Sequence, residues 1–437
     1  MTFRRSALII LVCLGTSCSE ESQTGPDQDG TSDCSTKGQV SYVRDSLQDW
    51  YYWYQELWDP DTGSFASPED YLEAVRYKPI DTSYSYITSK AASDAFYSDS
   101  QYIGFGFSYQ RPSPTELRIT QTFPGGPAAE AGFDRGDWLL TVNGKAVTEL
   151  LSTGEIDTIF GPEQEGVSVE VTWRDLGGAQ HRATLVKRKV TIPTVSQTAV
   201  LDAGGTSVGY VHFRDFVEPS VAALDTAFTQ LRSRGAKELV LDLRYNGGGL
   251  VSVAQHLAGL IAGPPTVGKV FVRFTHNDKR SSQDSTYDFE SLPQALGVKR
   301  LVVVTTTGSA SASEAVVNGL RPYMDVKTVG DRSYGKPVGQ YGFDFCDKVL
   351  YPVCFLVTNA RGEADFFDGI PADCAATDDV DHALASPQEA SLAEALHVVR
   401  YGRCSGAASA AARLQARLRT RAPEPRLGGW PQLLNAW

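Results

Sequence analysis

Two short stretches carry side chains with chemistry in them. Thr307-Gly308-Ser309-Ala310-Ser311-Ala312-Ser313-Glu314 sets small residues and hydroxyls between an apolar, β-branched run, Leu301 to Thr305, and a helical run, Ala315 to Leu320. A small-residue turn between strand and helix exposes a hydroxyl beside unpaired helix N–H groups. That suits a serine nucleophile and the oxyanion it generates. The same Ser311-Ala312-Ser313-Glu314 also reads as a capping box, in which Ser311 only starts the helix. The second stretch, Asp331-Arg332-Ser333-Tyr334-Gly335-Lys336-Pro337-Val338-Gly339-Gln340, places a lysine among glycines with a glutamine four residues on. A lysine serves as general base when burial brings its pKa toward neutrality, and is otherwise a solvated loop cation. A glycine turn, Arg244-Tyr245-Asn246-Gly247-Gly248-Gly249-Leu250, follows the buried strand Glu238 to Leu243. It has neither G-x-G-x-x-G nor Gly-Lys-Ser/Thr, which disfavours phosphate binding.

G-S-A-S-A-S-E followed by Y-G-K-P-V-G-Q resembles the carboxy-terminal processing peptidases, the S41 Ser/Lys proteases. The resemblance implies Ser311 as nucleophile, Lys336 as base and Gln340 orienting the lysine; the separation, 336 − 311 = 25, is the family's. Pro337 stands where the family usually has glycine. The glycine turn resembles L-R-N-N-P-G-G, with Tyr245 and Gly247 departing from it. By that match the amides of Gly248 and Ala312 form an oxyanion hole, and glycine lets the backbone approach the reacting carbonyl. Phe366 to Asp373 resembles the G-I-x-P-D segment, with a structural role near the site. Residues from about 100 to 190 resemble a PDZ domain. Ile103-Gly104-Phe105-Gly106-Phe107 has the pattern of its carboxylate loop, so Gly104, Phe105, Gly106 and Phe107 are the expected peptide-binding residues. Gly126 to Lys145 matches its short helix, strand and turn, and Asn143-Gly144 is a hairpin signal in its own right. Such a module captures an extended chain by strand addition.

Around these stretches the chain divides. Arg4 and Arg5 precede an apolar core, Ala7 to Leu14, and small residues lead to Cys18, as in a secretion signal. Leu14-Gly15-Thr16-Ser17-Cys18 resembles a bacterial lipobox, implying lipidation at Cys18 and a place in the cell envelope (periplasm or outer membrane). The expected organisation is a signal (1–18), a polar tether (19–34), a small helical domain (35–98), the PDZ domain (99–190), the protease domain (191–404) and an Arg/Ala-rich tail (405–437). The fold class is α/β multidomain: N-terminal helices, a PDZ domain of strands with two helices, and, by the resemblance, a ClpP/crotonase-like α/β protease core. Val43 to Tyr54 carries aromatic residues at helical spacing and reads as the core of the helical domain. Ser67-Pro68 reads as a helix cap with proline at the first position. Strand, glycine turn and helix alternate from 207 to 320, so parallel β-α-β wrapping is expected.

Cys13 leaves with the signal, and Cys34, Cys346, Cys354, Cys374 and Cys404 remain, an odd number. Cys346 and Cys354 flank a hairpin-like segment and form one possible bridge. Cys374 with Cys404 forms another, and Cys34 competes for either.

A net charge of −12 argues against a nucleic-acid partner. The six histidines, His181, His212, His256, His276, His382 and His397, sit in no local serine-hydrolase signature, and His212 lies on a strand, where a core histidine is the default. No H-E-x-x-H or paired Cys/His spacing marks a metal site, and no cofactor is implied. The expected activity is hydrolysis of peptide bonds in unfolded or C-terminally exposed proteins outside the cytoplasm. The alternatives are a non-catalytic peptide receptor on the same fold and an esterase-like hydrolase using the same dyad.

Overall fold

The computed structural model describes residues 33–406. The secretion signal, the lipobox at Cys18, most of the tether and nearly all of the tail lie outside them.

The protease core is built on a six-stranded sheet. Its order is Val195–Asp202, Ser207–Phe213, Glu238–Asp242, Arg300–Thr305, Asp325–Gly330, Cys374–Ala375. The first pair is antiparallel and the rest are parallel, as alternating strands and helices require. Side chains alternate across the sheet. Val211, Leu239, Leu241, Leu301 and Val303 meet the helices Ser220–Ser233, Val251–Ala262 and Ala312–Leu320 on one face. Tyr210, Val240, Val302 and Val304 meet the helix Ala390–Tyr401 on the other. Because parallel strands carry helices on both faces, they read as unbroken apolar runs. A four-stranded sheet, Ser285–Asp288, Val270–His276, Val353–Asn359, Val338–Gln340, closes the serine side.

The PDZ unit has its own core. Strands Phe107–Ser113, Glu116–Thr122, Trp138–Val142, Ser168–Arg174 and Gln180–Val186 form its sheet, with helices Pro127–Ala131 and Val147–Thr153. Phe107, Phe133, Phe160 and Trp173 fill the space between. The second helix ends at Gly154, with φ of 76°, and a 3₁₀ turn, Glu155–Asp157, follows it. A two-stranded ribbon, Gln101–Gly104 with Arg188–Thr191, joins the unit to the rest.

The N-terminal helices differ from expectation. Ser67 caps Pro68–Val75 as the sequence implies, accepting from Asp70 N at 3.0 Å. The aromatic stripe does not make a core of its own, however. Val43, Leu47, Trp50 and Tyr51 belong to one continuous apolar cluster with Phe343, Leu350 and Val353 of the protease. Tyr86–Ser89 also adds a strand to the hairpin Phe343–Phe345/Lys348–Tyr351. A period of helical spacing shows that a face is buried, not which element buries it.

Cysteine pairing differs as well. Cys34 is bonded to Cys346, across 312 residues, and Cys374 to Cys404. The bridge between Cys346 and Cys354 does not form, and Cys354 is a buried thiol. Cys346 sits with φ of 52° at the tip of a tight hairpin whose strands pair Phe345 with Lys348. Cys354 lies beyond Pro352, inside the next strand, Val353–Asn359. The hairpin closes on itself before it reaches Cys354.

Because the helices and the protease share one core, Trp50→Ala should unfold both together. The expected loss is about 3–5 kcal/mol in a single cooperative transition followed by circular dichroism. A lowered minor transition beside an unshifted major one would show that the helices form a separate domain.

Candidate active site

The strand Arg300–Thr305 delivers the small-residue turn to the edge of the glycine turn, and hydrogen bonds stitch the two together. Ser309 Oγ donates to Leu243 O at 2.8 Å, Ser313 Oγ to Asn246 O at 2.9 Å, and Ala310 N to Asn246 O at 3.1 Å. Ser311 follows as N-cap of the helix Ala312–Leu320, with φ of 55° and ψ of −111°. A non-glycine residue at positive φ is strained by roughly 1–3 kcal/mol and persists only when its surroundings enforce it. The enforcing contact is the Glu314 carboxylate.

Glu314 is buried and accepts four hydrogen bonds. One oxygen takes Ser311 N at 2.9 Å and Lys336 N at 2.8 Å; the other takes Ser333 Oγ at 2.5 Å and Gly335 N at 2.7 Å. A glutamate readable only as a helix cap thus also binds the lysine loop. Burial pushes its pKa up to about 6, against the pull of those four donors.

Lys336 and Ser311 line one pocket of about 210 Å³, together with Gly248, Ala312 and Gln340. Lys336 is 6% exposed, and burial lowers its pKa to about 8, with Asp81 and Glu314 opposing. Its Nζ donates to Gln340 Oε1 at 2.5 Å. The Gln340 amide is fixed in turn, since Nε2 donates to both Tyr84 O and Tyr351 O at 2.6 Å. Tyr84 OH also bonds Gly335 O, and Ser83 Oγ meets Tyr334 OH at 2.9 Å. Residues 81–85 therefore brace the lysine loop, a role the sequence did not signal. In this state Lys336 and Ser311 share no hydrogen bond.

Gly248 packs so closely on the serine turn that a Cβ there would lie 2.8 Å from Ser311 Cβ and 2.9 Å from Ala312 N. Only glycine fits, and its φ of 101° demands glycine independently. Its N–H, however, donates to Asn246 Oδ1 at 2.9 Å. The Ala312 N–H, at the first position of the helix, makes no hydrogen bond among the described residues. One of the two expected oxyanion donors is therefore engaged elsewhere in this state.

The expected peptide-binding loop does not line the pocket. Phe105 and Phe107 are buried in the PDZ core; Phe105 O accepts from Ala128 N and Gly106 O from Phe123 N. Arg111 pairs with Asp157 at 2.5 Å, linking the strand Phe107–Ser113 to the turn after the second helix. The PDZ unit reaches the site by another route. Arg135 Nη1 donates to Thr120 O at 2.8 Å within the unit and to Tyr245 OH at 3.1 Å across the junction. Tyr245, with φ of 64°, belongs to the glycine turn and also donates to Asp378 at 2.7 Å.

His212 is buried with Nδ1 against Ser196 Oγ at 2.5 Å, and burial lowers its pKa to about 4. It does not line the serine pocket.

A peptidase family S41 model matches residues 207–374, an S41 N-terminal domain model 38–86 and a PDZ domain model 118–174. The chain carries a peptidase family S41 domain, with an S41 N-terminal domain and a PDZ domain. Among curated relatives, the chloroplastic C-terminal processing peptidase of Tetradesmus obliquus is 30% identical over 256 residues, 56% of this chain and 53% of that protein. A probable CtpA-like serine protease of Staphylococcus saprophyticus is 25% identical over 320 residues, 72% of this chain and 62% of that protein. The chain spans about half to three-fifths of the length of these relatives. The crystal structure of a candidate S41 protease from Bacteroides fragilis superposes with a TM-score of 0.67 at 23% identity, over 82% of this chain and 96% of that one. The fold of this chain is therefore matched through nearly all of a solved chain.

Glu314 makes opposite demands on stability and activity. Its folded pKa of about 6 lies above the ordinary 4.5, so its stability contribution is full below 4.5 and lost as pH rises through 6. Only the ionised form accepts from all four donors, so turnover should fall as pH drops through 6 without a loss of stability from this group. Glu314→Gln should remove that acid limb and lower kcat by roughly 10²-fold at pH 8. Paired pH–rate and thermal-melt series check this; an unchanged limb in the variant would overturn it.

Proposed function

We propose that this chain is an exported serine endopeptidase whose Ser311–Lys336 dyad hydrolyses peptide bonds in unfolded or C-terminally exposed proteins. The observation that carries the reading is the buried Lys336 amine. It shares a pocket with Ser311, is held by a fixed amide, and has a pKa near 8. A lysine so placed is a neutral base in an appreciable fraction of molecules at mildly alkaline pH.

In the proposed mechanism Ser311 Oγ attacks the carbonyl carbon while its proton passes to Lys336 Nζ. The Ala312 N–H takes the developing oxyanion, joined by the Gly248 N–H once Asn246 Oδ1 releases it. The lysine ammonium then protonates the leaving amine, and the C–N bond breaks. Water attacks the resulting ester, giving its proton to Lys336, which returns it to Ser311 Oγ. Side chains present in the chain perform every proton transfer.

Capture of substrate ends by the PDZ unit belongs to the same proposal, with Gly104 to Phe107 as the peptide-binding loop. The Arg111–Asp157 pair would have to open for a chain to add to that strand. Lipid anchoring at Cys18 and a cell-envelope location complete the reading. Among the described residues no helix is long and apolar enough to cross a membrane.

The test uses purified chain and unfolded casein. Cleavage should vanish in Ser311→Ala and fall about 10²–10⁴-fold in Lys336→Met. In the parent chain kcat/KM should rise through pH 8, because the lowered folded pKa means the free amine appears there rather than near 10.5. A flat profile, or full activity in Lys336→Met, would refute the dyad. Equal, absent cleavage by the parent and Ser311→Ala, with or without a C-terminal peptide added to engage the PDZ unit, would favour a peptide receptor.

A further inference from the structure

Beyond the dyad, the pocket holds a carboxylate that the mechanism does not use. Asp215 follows the strand Ser207–Phe213 and lines the pocket beside Gly248 and Gly249. The loop is pinned there, since Phe216 N donates to Gly248 O at 3.0 Å and Leu250 N to Phe216 O at 2.7 Å. Asp215 is 1% exposed, and its Oδ2 has no hydrogen-bond partner. Among the described residues its only ion-pair contact is Arg214 Nε, at 4.0 Å. A buried carboxylate without donors is unfavourable, and burial duly pushes its pKa up to about 7. Glu218, exposed at the rim of the same flank, pairs with no cation among the described residues. Across the pocket Lys90 is already shared between Asp94 and Asp344, each at 3.0 Å. The pocket thus holds four acidic groups, Asp94, Asp215, Glu218 and Asp344, against Lys90 and Lys336.

We propose that the Asp215–Glu218 flank is a subsite for a cationic side chain, lysine or arginine, of the substrate next to the scissile bond. The missing donor for Asp215 is supplied by the substrate's ammonium or guanidinium, and Glu218 adds attraction at the mouth. This inference rests on the peptidase reading above and adds a substrate preference to it.

The test compares quenched-fluorescence peptides that differ only by lysine or norleucine, scanned through the positions flanking the scissile bond. At one position the lysine peptide should have a kcat/KM about tenfold higher. Asp215→Asn should bring that ratio close to one. Glu218→Lys, at an exposed site where folding is not at stake, should lower the ratio and shift it toward a glutamate peptide. Ratios near one at every position in the parent chain, or a ratio unchanged in both variants, overturn the subsite. If no peptide is cleaved, the peptidase reading fails on its own. Fluorescence anisotropy with the Ser311→Ala chain then decides the subsite separately: tighter binding of the lysine peptide, lost in Asp215→Asn, supports it, and equal binding of the two peptides refutes it.

Discussion

The buried carboxylate of Glu314 is the contact on which the site depends. Two loops that are distant in sequence meet on its two oxygens: the serine turn through Ser311 N, and the lysine loop through Ser333, Gly335 and Lys336. Removing a carboxylate from water is costly, and only several charge-assisted hydrogen bonds, each about 1.5–3 kcal/mol, can offset it. A pKa near 6 says that the two effects nearly balance, with burial ahead. Ser311 can therefore be held at positive φ without a glycine. The strain is opposed by a carboxylate that the lysine loop holds in place by three further hydrogen bonds.

The lysine is prepared by the same logic applied to the opposite charge. Burial disfavours the ammonium, and two neighbouring carboxylates, Asp81 and Glu314, limit how far the pKa falls. Gln340 accepts from Nζ without adding charge, so it orients the amine while leaving its basicity to the environment. An acidic partner in its place would favour the protonated form. The amide in turn is aligned by the carbonyls of Tyr84 and Tyr351, one from the N-terminal unit and one from the protease hairpin. This explains why the N-terminal aromatics share the protease core: they set the ground on which the base is mounted.

Much of this was legible in the sequence, and the rest was hidden for identifiable reasons. Parallel strands between helices read plainly, because burial on both faces leaves long β-branched runs. Ser311, Lys336 and Gln340 stand out by residue type and spacing, and the structure places all three around one pocket. Glu314 was visible only as a cap, since its bonds to Gly335 and Lys336 cross a loop whose path spacing does not encode. The engagement of Gly248 by Asn246 is likewise a matter of backbone rotation, not of residue identity. The pairing of Cys34 with Cys346 depends on where a helix start lands against a hairpin tip, which no local signal reports.

The glycine turn is where the units meet. Its Arg244 is buried among Asp242, Asp378 and Glu389, so one end of the turn is rigid. Its middle is held from the PDZ side, because Arg135 joins Tyr245 to Thr120 O inside that unit. Its far end presents Gly248, with the N–H turned onto Asn246. Tyr245, joined to the PDZ unit through Arg135, stands three residues before Gly248. The geometry of Ser311 is fixed separately, by Glu314.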